Sequence, residues 1–239
     1  MRLSKGFLSG FVAMVALGVS ANASAALVSI TGGVAENIDP NNQVLPQAGI
    51  GQNGGMLYNY SSQLNILANN VTLTLYDVGS ESAWKDQIRL GNTSGPVLID
   101  MDDFGAFKPG PTSQLHVPIQ LVGSVTQNAG VANLSFWRVY NDVSKVPTLL
   151  VANGANPNNL GPGNWASIAM AYLDANSQIV AGPTNRILVM LDDSGLQSDD
   201  NHDDYVGYFV ATPVPLPPAV WLLGSALLGL LGIGRRHAA

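Results

Sequence analysis

The stretch "VTLTLYDV", residues 71–78, decides the class of fold. Val71, Leu73 and Leu75 alternate with Thr72, Thr74 and Tyr76. A strand turns successive side chains to opposite faces, so a period of two predicts a half-buried β-strand here. Working outward, "LVSITGGV" (27–34) alternates in the same way. Further short runs rich in β-branched and aromatic residues lie at 87–90, 97–101, 115–122, 132–140, 148–152, 165–173, 186–191 and 205–211. Clusters of Gly, Asn, Pro and Ser separate them. Ten short strands with such punctuation predict an all-β fold, an antiparallel β-sandwich or jelly-roll-like ectodomain over residues 26–212. No segment of that region has a 3.6-residue apolar period, and "SSQLNILANN" (61–70) is too short and Asn-rich to assign.

Within "NLSFWRVY" (133–140), Leu134, Phe136 and Arg138 share one face and Ser135, Trp137 and Val139 the other. The pattern does not say which face is buried. Trp84, Trp137 and Trp165, with Tyr58, Tyr60 and Tyr140, are either core residues or a platform for sugar rings. The connection "NIDPNNQVLPQAGIGQNGG" (37–55) is long for a compact domain and predicts a binding loop or a mobile segment. It contains Gly49-x-Gly51-x-x-Gly54, but a proline-bearing loop precedes it and "MLYNYSS" follows. A dinucleotide fingerprint needs a strand before and a helix after, so this is a loop.

Six of the ten Lys and Arg, and all sixteen Asp and Glu, fall between the two ends, so the central region carries a formal charge of −10. That field repels nucleic acid and anionic lipid head groups, and a nucleic-acid partner is excluded. The chain has no cysteine. Disulfides, thiolate metal sites and a cysteine nucleophile are therefore absent, and a domain of this size can bury enough apolar surface without them.

The two ends differ from the middle. Residues 1–25 combine Arg2 and Lys5, an apolar stretch from Phe7 to Val19 and the small-x-small site Ala23-Ser24-Ala25. This is the pattern of a secretory signal peptide, with Ala26 as the new N-terminus. At the other end, Pro213 to Gly234 contains no charged residue, and Arg235 and Arg236 follow. A helix over 217–234 would be about 27 Å long at 1.5 Å per residue, just enough to cross a hydrocarbon core. Pro217 and Pro218 suit a helix start, Trp221 an interface, and the arginines a cytoplasmic stop. Ser225 and Gly229 form a small-xxx-small pair.

Val214-Pro215-Leu216-Pro217-Pro218, the apolar helix after it and the Arg235-Arg236 cluster together resemble the PEP-CTERM sorting tail in its VPLPA variant. Pro218 stands where that variant has alanine. The resemblance covers residues 213–239. It implies export, a transient anchor in the inner membrane and processing by an exosortase, a membrane protease-transpeptidase. The destination it implies is the cell surface or an exopolysaccharide-rich (biofilm) matrix. An ordinary permanent anchor is the alternative.

The stretch 188–211, "LVMLDDSGLQSDDNHDDYVGYFVA", is acidic. Asp192, Asp193, Asp199, Asp200, Asp203 and Asp204 are crowded there, and repulsion among them calls for water or a cation. Asp199, Asn201 and Asp203 have the spacing that opens an EF-hand loop, but Asp204 replaces its glycine and Val210 its final glutamate. The run 199–205 instead resembles an acidic turn that precedes the last strand of many PEP-CTERM precursors. That resemblance implies Ca²⁺ held by Asp199, Asn201 and Asp203; the alternative is a solvated acidic hairpin. Asp100, Asp102 and Asp103 read as a strand end and turn.

Catalytic motifs are missing. His116, His202 and His237 look isolated, there is no H-E-x-x-H or G-x-S-x-G, and "GNTSG" has the wrong spacing. No catalytic residue is assigned. The expectation is a non-enzymatic structural or interaction protein. A Ca²⁺-dependent carbohydrate-binding or adhesive module, or a secreted hydrolase, are the alternatives.

Overall fold

The computed structural model describes residues 25–59, 61–81, 85–90, 97–100, 114–139, 148–154, 166–192, 202–215, 222–223 and 225–226. The expected signal peptide, most of the C-terminal helix, and Trp84, Trp165, Tyr60 and Tyr140 lie outside them.

In chain order the elements are β1 (Val28–Thr31), β2 (Val34–Glu36), a helix α1 (Val44–Gln47), β3 (Gln52–Asn53), β4 (Leu57–Asn59), β5 (Gln63–Ile66), β6 (Val71–Ser80), β7 (Lys85–Leu90) and β8 (Val97–Asp100). After these come β9 (Gln114–Gln127), β10 (Gly130–Val131), β11 (Leu134–Val139), β12 (Thr148–Ala152), β13 (Ser167–Leu173), β14 (Ile179–Val180), β15 (Arg186–Asp192) and β16 (Tyr205–Pro213). The fold is mostly β. The largest sheet runs β2-β4-β13-β15-β16-β6-β9, with β14 and β3 attached beside β13. Two smaller sheets run β12-β11-β7-β8 and β1-β5-β10. Pairing is antiparallel throughout the described strands except between β14 and β3.

The three sheets share one core. Val71, Leu73 and Leu75 of β6 point into it, as the period of two requires, and meet Leu64 and Ile66 of β5 and Ile88, Leu134 and Phe136 of the four-stranded sheet. The open question about β11 is settled: Leu134 and Phe136 face this core, and Ser135 and Trp137 face away from it. Asn153 stitches the two smaller sheets together. Its amide nitrogen donates to the Leu64 carbonyl at 2.8 Å and the Ala132 carbonyl at 2.7 Å, and its Oδ1 accepts from the Leu64 amide at 2.8 Å.

The far face of the large sheet is covered in part, and this corrects the expectation for residues 37–55. That segment is not simply a mobile connection. It forms α1 and β3 and buries Val44, Leu45 and Ile50 against Val78, Ala169, Ala171, Leu188, Met190 and Val206. Each such side chain contributes roughly 1.5–3 kcal/mol when fully buried. A second apolar layer also explains β13 and β15. Both strands are buried almost without a break, because both of their faces are covered. Gly49 and Gly54 have φ of 71° and 74°, and Gly51 leads directly into β3. No helix follows the glycines, so they are turn residues.

The large sheet has two ends. One is the level at which Val71 pairs with both Pro213 and Gln127. The other, about 26 Å away at some 3.3 Å per residue along β16, is where Ser167 pairs with Asp192 and β16 begins at Tyr205.

Candidate functional site

The second of these ends gathers the acidic residues. The expected Ca²⁺ ligands Asp199 and Asn201, with Asp193 and Asp200, lie outside the described residues; Asp203 is inside them. Asp203 does not extend into solvent. It is 1% exposed, its Oδ2 accepts the Gln43 amide at 2.7 Å, and its carbonyl accepts the Glu81 amide at 2.8 Å. Asp204 is also buried, and its carbonyl accepts Ser80 Oγ at 2.7 Å. Gln43 Nε2 reaches Glu81 Oε1 at 3.3 Å, and Asn42 Oδ1 accepts the Leu45 amide at 2.9 Å at the start of α1. Three segments distant in sequence are thus tied together: the approach to α1, the end of β6 and the approach to β16. Among the described residues no three His, Asp or Glu side chains are grouped so as to hold a metal ion.

His202, isolated in the sequence, is not isolated in the structure. Its Nε2 lies 2.8 Å from Ser167 Oγ, and Asp192 sits directly opposite Ser167 across the β13–β15 ladder. His202 adopts the left-handed conformation, φ 56°, which places its ring against the sheet end. A serine, a histidine and a nearby carboxylate are the parts of a nucleophile and its base. Here all three are buried: Ser167 and Asp192 are fully buried and His202 is 4% exposed. The group closes the end of the sheet. Sequence reasoning missed it because Ser167 and His202 are 35 positions apart and only strand register joins them.

A second polar group sits in the main core. Tyr205 packs on Phe136 at 5.9 Å between ring centroids, and its hydroxyl has no hydrogen-bond partner among the described residues. Burial, and after it the charge of Asp77, pushes the Tyr205 phenol well above its usual pKa. The ring lies over Gly207, two residues along β16. A Cβ at Gly207 would run into the Tyr205 hydroxyl and come within 2.9 Å of the Tyr76 carbonyl, so glycine is required there.

Among the described residues the aromatic side chains do not form an exposed row. Trp137 is 7% exposed, donates from Nε1 to Ser135 Oγ at 2.8 Å and carries the Arg89 guanidinium over its ring at 4.7 Å. Tyr58 packs edge-on against Tyr172 at 6.5 Å. Tyr76 stacks on Tyr208 at 4.9 Å, with the Arg186 guanidinium on the Tyr208 ring. His116 lies within β9 and Asp100 ends β8; Asp102, Asp103 and His237 are outside the described residues.

The stretch expected to be a sorting motif, Val214–Pro218, begins at the other end of the sheet. β16 ends at Pro213, and the Val214 amide donates to the Asn70 carbonyl at 2.9 Å. Val214 and Pro215 are exposed; Leu216, Pro217, Pro218, Arg235 and Arg236 are outside the described residues. Leu222, Leu223, Ser225 and Ala226 are helical and exposed, and Ser225 Oγ bonds back to the Leu222 carbonyl at 2.9 Å. Among the described residues no helix is long and apolar enough to cross a membrane.

Comparison with protein-family models, with curated proteins and with solved structures finds no match to this chain.

Proposed function

We propose that this is an exported protein of the PEP-CTERM type, sorted and processed through its C-terminal tail. Residues 1–25 carry it across the inner membrane. Residues 26–212 form a layered β-sandwich or jelly-roll-like ectodomain. Residues 213–239 anchor it until an exosortase-type transpeptidase acts at Val214–Pro218. The ectodomain then works at the cell surface or in the exopolysaccharide matrix as a structural or interaction module and not as an enzyme. One observation supports the reading beyond the sequence: the last described strand stops where the motif starts. β16 ends at Pro213, and Val214, 42% exposed, follows at once. A motif whose first two residues, Val214 and Pro215, are exposed is open to a membrane-embedded enzyme.

Fractionation of cells making the full chain, or a chain without residues 214–239, tests this. The full chain is expected beyond the inner membrane, at the surface or in the matrix, and the truncated form in the periplasm. An identical distribution of the two would overturn the proposal.

A further inference from the structure

We infer that the end of the large sheet from which the tail leaves is a lipid-docking face. In the membrane-held precursor it rests on the outer surface of the inner membrane and the acidic end points away. This rests on the tail reading above and adds to it an orientation and a contact surface.

Three observations carry it. The first is where the chain leaves the fold. The Leu27 amide donates to Asn185 Oδ1 at 2.7 Å, and Asn185 Nδ2 reaches the Ala25 carbonyl at 3.5 Å. The Ala211 amide donates to the Asn185 backbone carbonyl at 2.8 Å. One asparagine therefore gathers both the residues on either side of the expected cleavage site, Ala25 and Leu27, and the last strand before the tail. Both membrane-directed segments emerge from the same end, although neither sequence requires it.

The second is the length of the tether. Val214 is pinned to Asn70, and only Pro215 and Leu216 separate it from Pro217, where the apolar helix is expected to begin. Three extended steps span at most about 11 Å. The head-group layer alone is roughly 5–8 Å deep on each side of the hydrocarbon. The end of β16 is therefore held at the lipid surface, and a short tether makes even a weak contact effective.

The third is chemistry. Most of the segments that build this end, 25–29, 66–72, 125–133, 181–185 and 211–215, contain no Asp, Glu, Lys or Arg. Its charged residues are Asp174, in the turn after β13, and Arg186, opening β15, and their charges are opposite. The turns are closed by asparagines: Asn128 Oδ1 accepts the Asn70 amide at 3.2 Å, and Asn69 Oδ1 accepts the Ala129 amide at 3.1 Å. Leu67, Val131 and Val214 are exposed by 52%, 47% and 42% on these turns and on the tail. The rest of an ectodomain with a charge of −10 is repelled by an anionic leaflet. This neutral end, with apolar tips and amide groups, can approach one.

The absence of cysteine makes the test direct, since a single introduced thiol reports alone. Full-length Leu67→Cys, Val131→Cys, Glu81→Cys and Leu222→Cys, each labelled with an environment-sensitive fluorophore, are reconstituted in phosphatidylethanolamine–phosphatidylglycerol vesicles. The vesicles carry a nitroxide quencher on the head groups. Positions 67 and 131 are expected to lose about half of their fluorescence, as groups at interfacial depth do, and position 81 almost none. Water-like signals at 67 and 131, with position 222 in lipid, would overturn the docking face alone and leave that end to a protein partner. A water-like signal at 222 would overturn the tail reading, and the docking face with it.

Discussion

At one end of the large sheet, Asp192, His202, Asp203 and Asp204 are drawn inward, and Asp203 receives the Gln43 amide. At the other end, Asn69, Asn70 and Asn128 close short turns in the open, and Leu67 and Val131 stay exposed. The contrast is one of cost. A carboxylate removed from water must be hydrogen-bonded or it destabilises the fold by several kcal/mol, roughly speaking. The acidic end is therefore over-determined, with several segments fixed against one another. Neutral amides need no such enclosure, and their end is free to meet another surface. One sheet thus has a locked end and an open end, and the tail leaves from the open one.

Four substitutions break or sharpen this contrast, each followed by urea unfolding of the full-length chain in detergent micelles. Leu45→Ala has the largest expected effect. Leu45 is fully buried where α1 covers the sheet, so the change should cost about 3 kcal/mol through transfer and cavity terms. A cost below about 1 kcal/mol would show that residues 37–55 are not part of the core. Asp203→Ala comes next. It leaves the Gln43 amide without its carboxylate acceptor, and about 2 kcal/mol should be lost.

Tyr205→Phe should act in the opposite direction. It keeps the packing on Phe136, removes a buried hydroxyl without a partner and should stabilise the protein by about 1 kcal/mol. The same variant has a pH signature. The Tyr205 phenol is raised in the folded state, so above about pH 10 the unfolded chain releases its proton first and stability falls with rising pH. That loss is at most about 1.4 kcal/mol per pH unit for one proton, and it should be smaller in Tyr205→Phe than in the wild type. An equal decline in both would contradict the burial of this hydroxyl. Asn128→Ala, at the open end, has the smallest effect: an exposed 3.2 Å bond should be worth less than about 0.5 kcal/mol. A loss as large as that of Asp203→Ala would erase the difference between the two ends.

Much of the fold was legible in the chain. The alternation of "VTLTLYDV" placed Val71, Leu73 and Leu75 on the core face, where they lie, and each of the ten expected runs contains a strand. What escaped was whatever depends on register or on a second layer. "NIDPNNQVLPQAGIGQNGG" has too few apolar residues to read as core, yet Val44, Leu45 and Ile50 are enough to cover the far side of β13 and β15. The unbroken burial of "SIAMAYL" was the available sign that this face was covered. Ser167 and His202 meet only because β13, β15 and β16 are aligned as they are. Asn185, which joins the two exits of the chain, lies in a turn with no motif to mark it. The proposed tail motif needs no such alignment: it is a contiguous run of residues, and its reading does not depend on strand register.

The mass of the mature exported protein tests the central claim most directly. Intact-mass and terminal-peptide analysis should find a chain that begins at Ala26 and ends at or near the Val214–Pro218 motif. An exported chain that still carried Arg235 and Arg236 would contradict it.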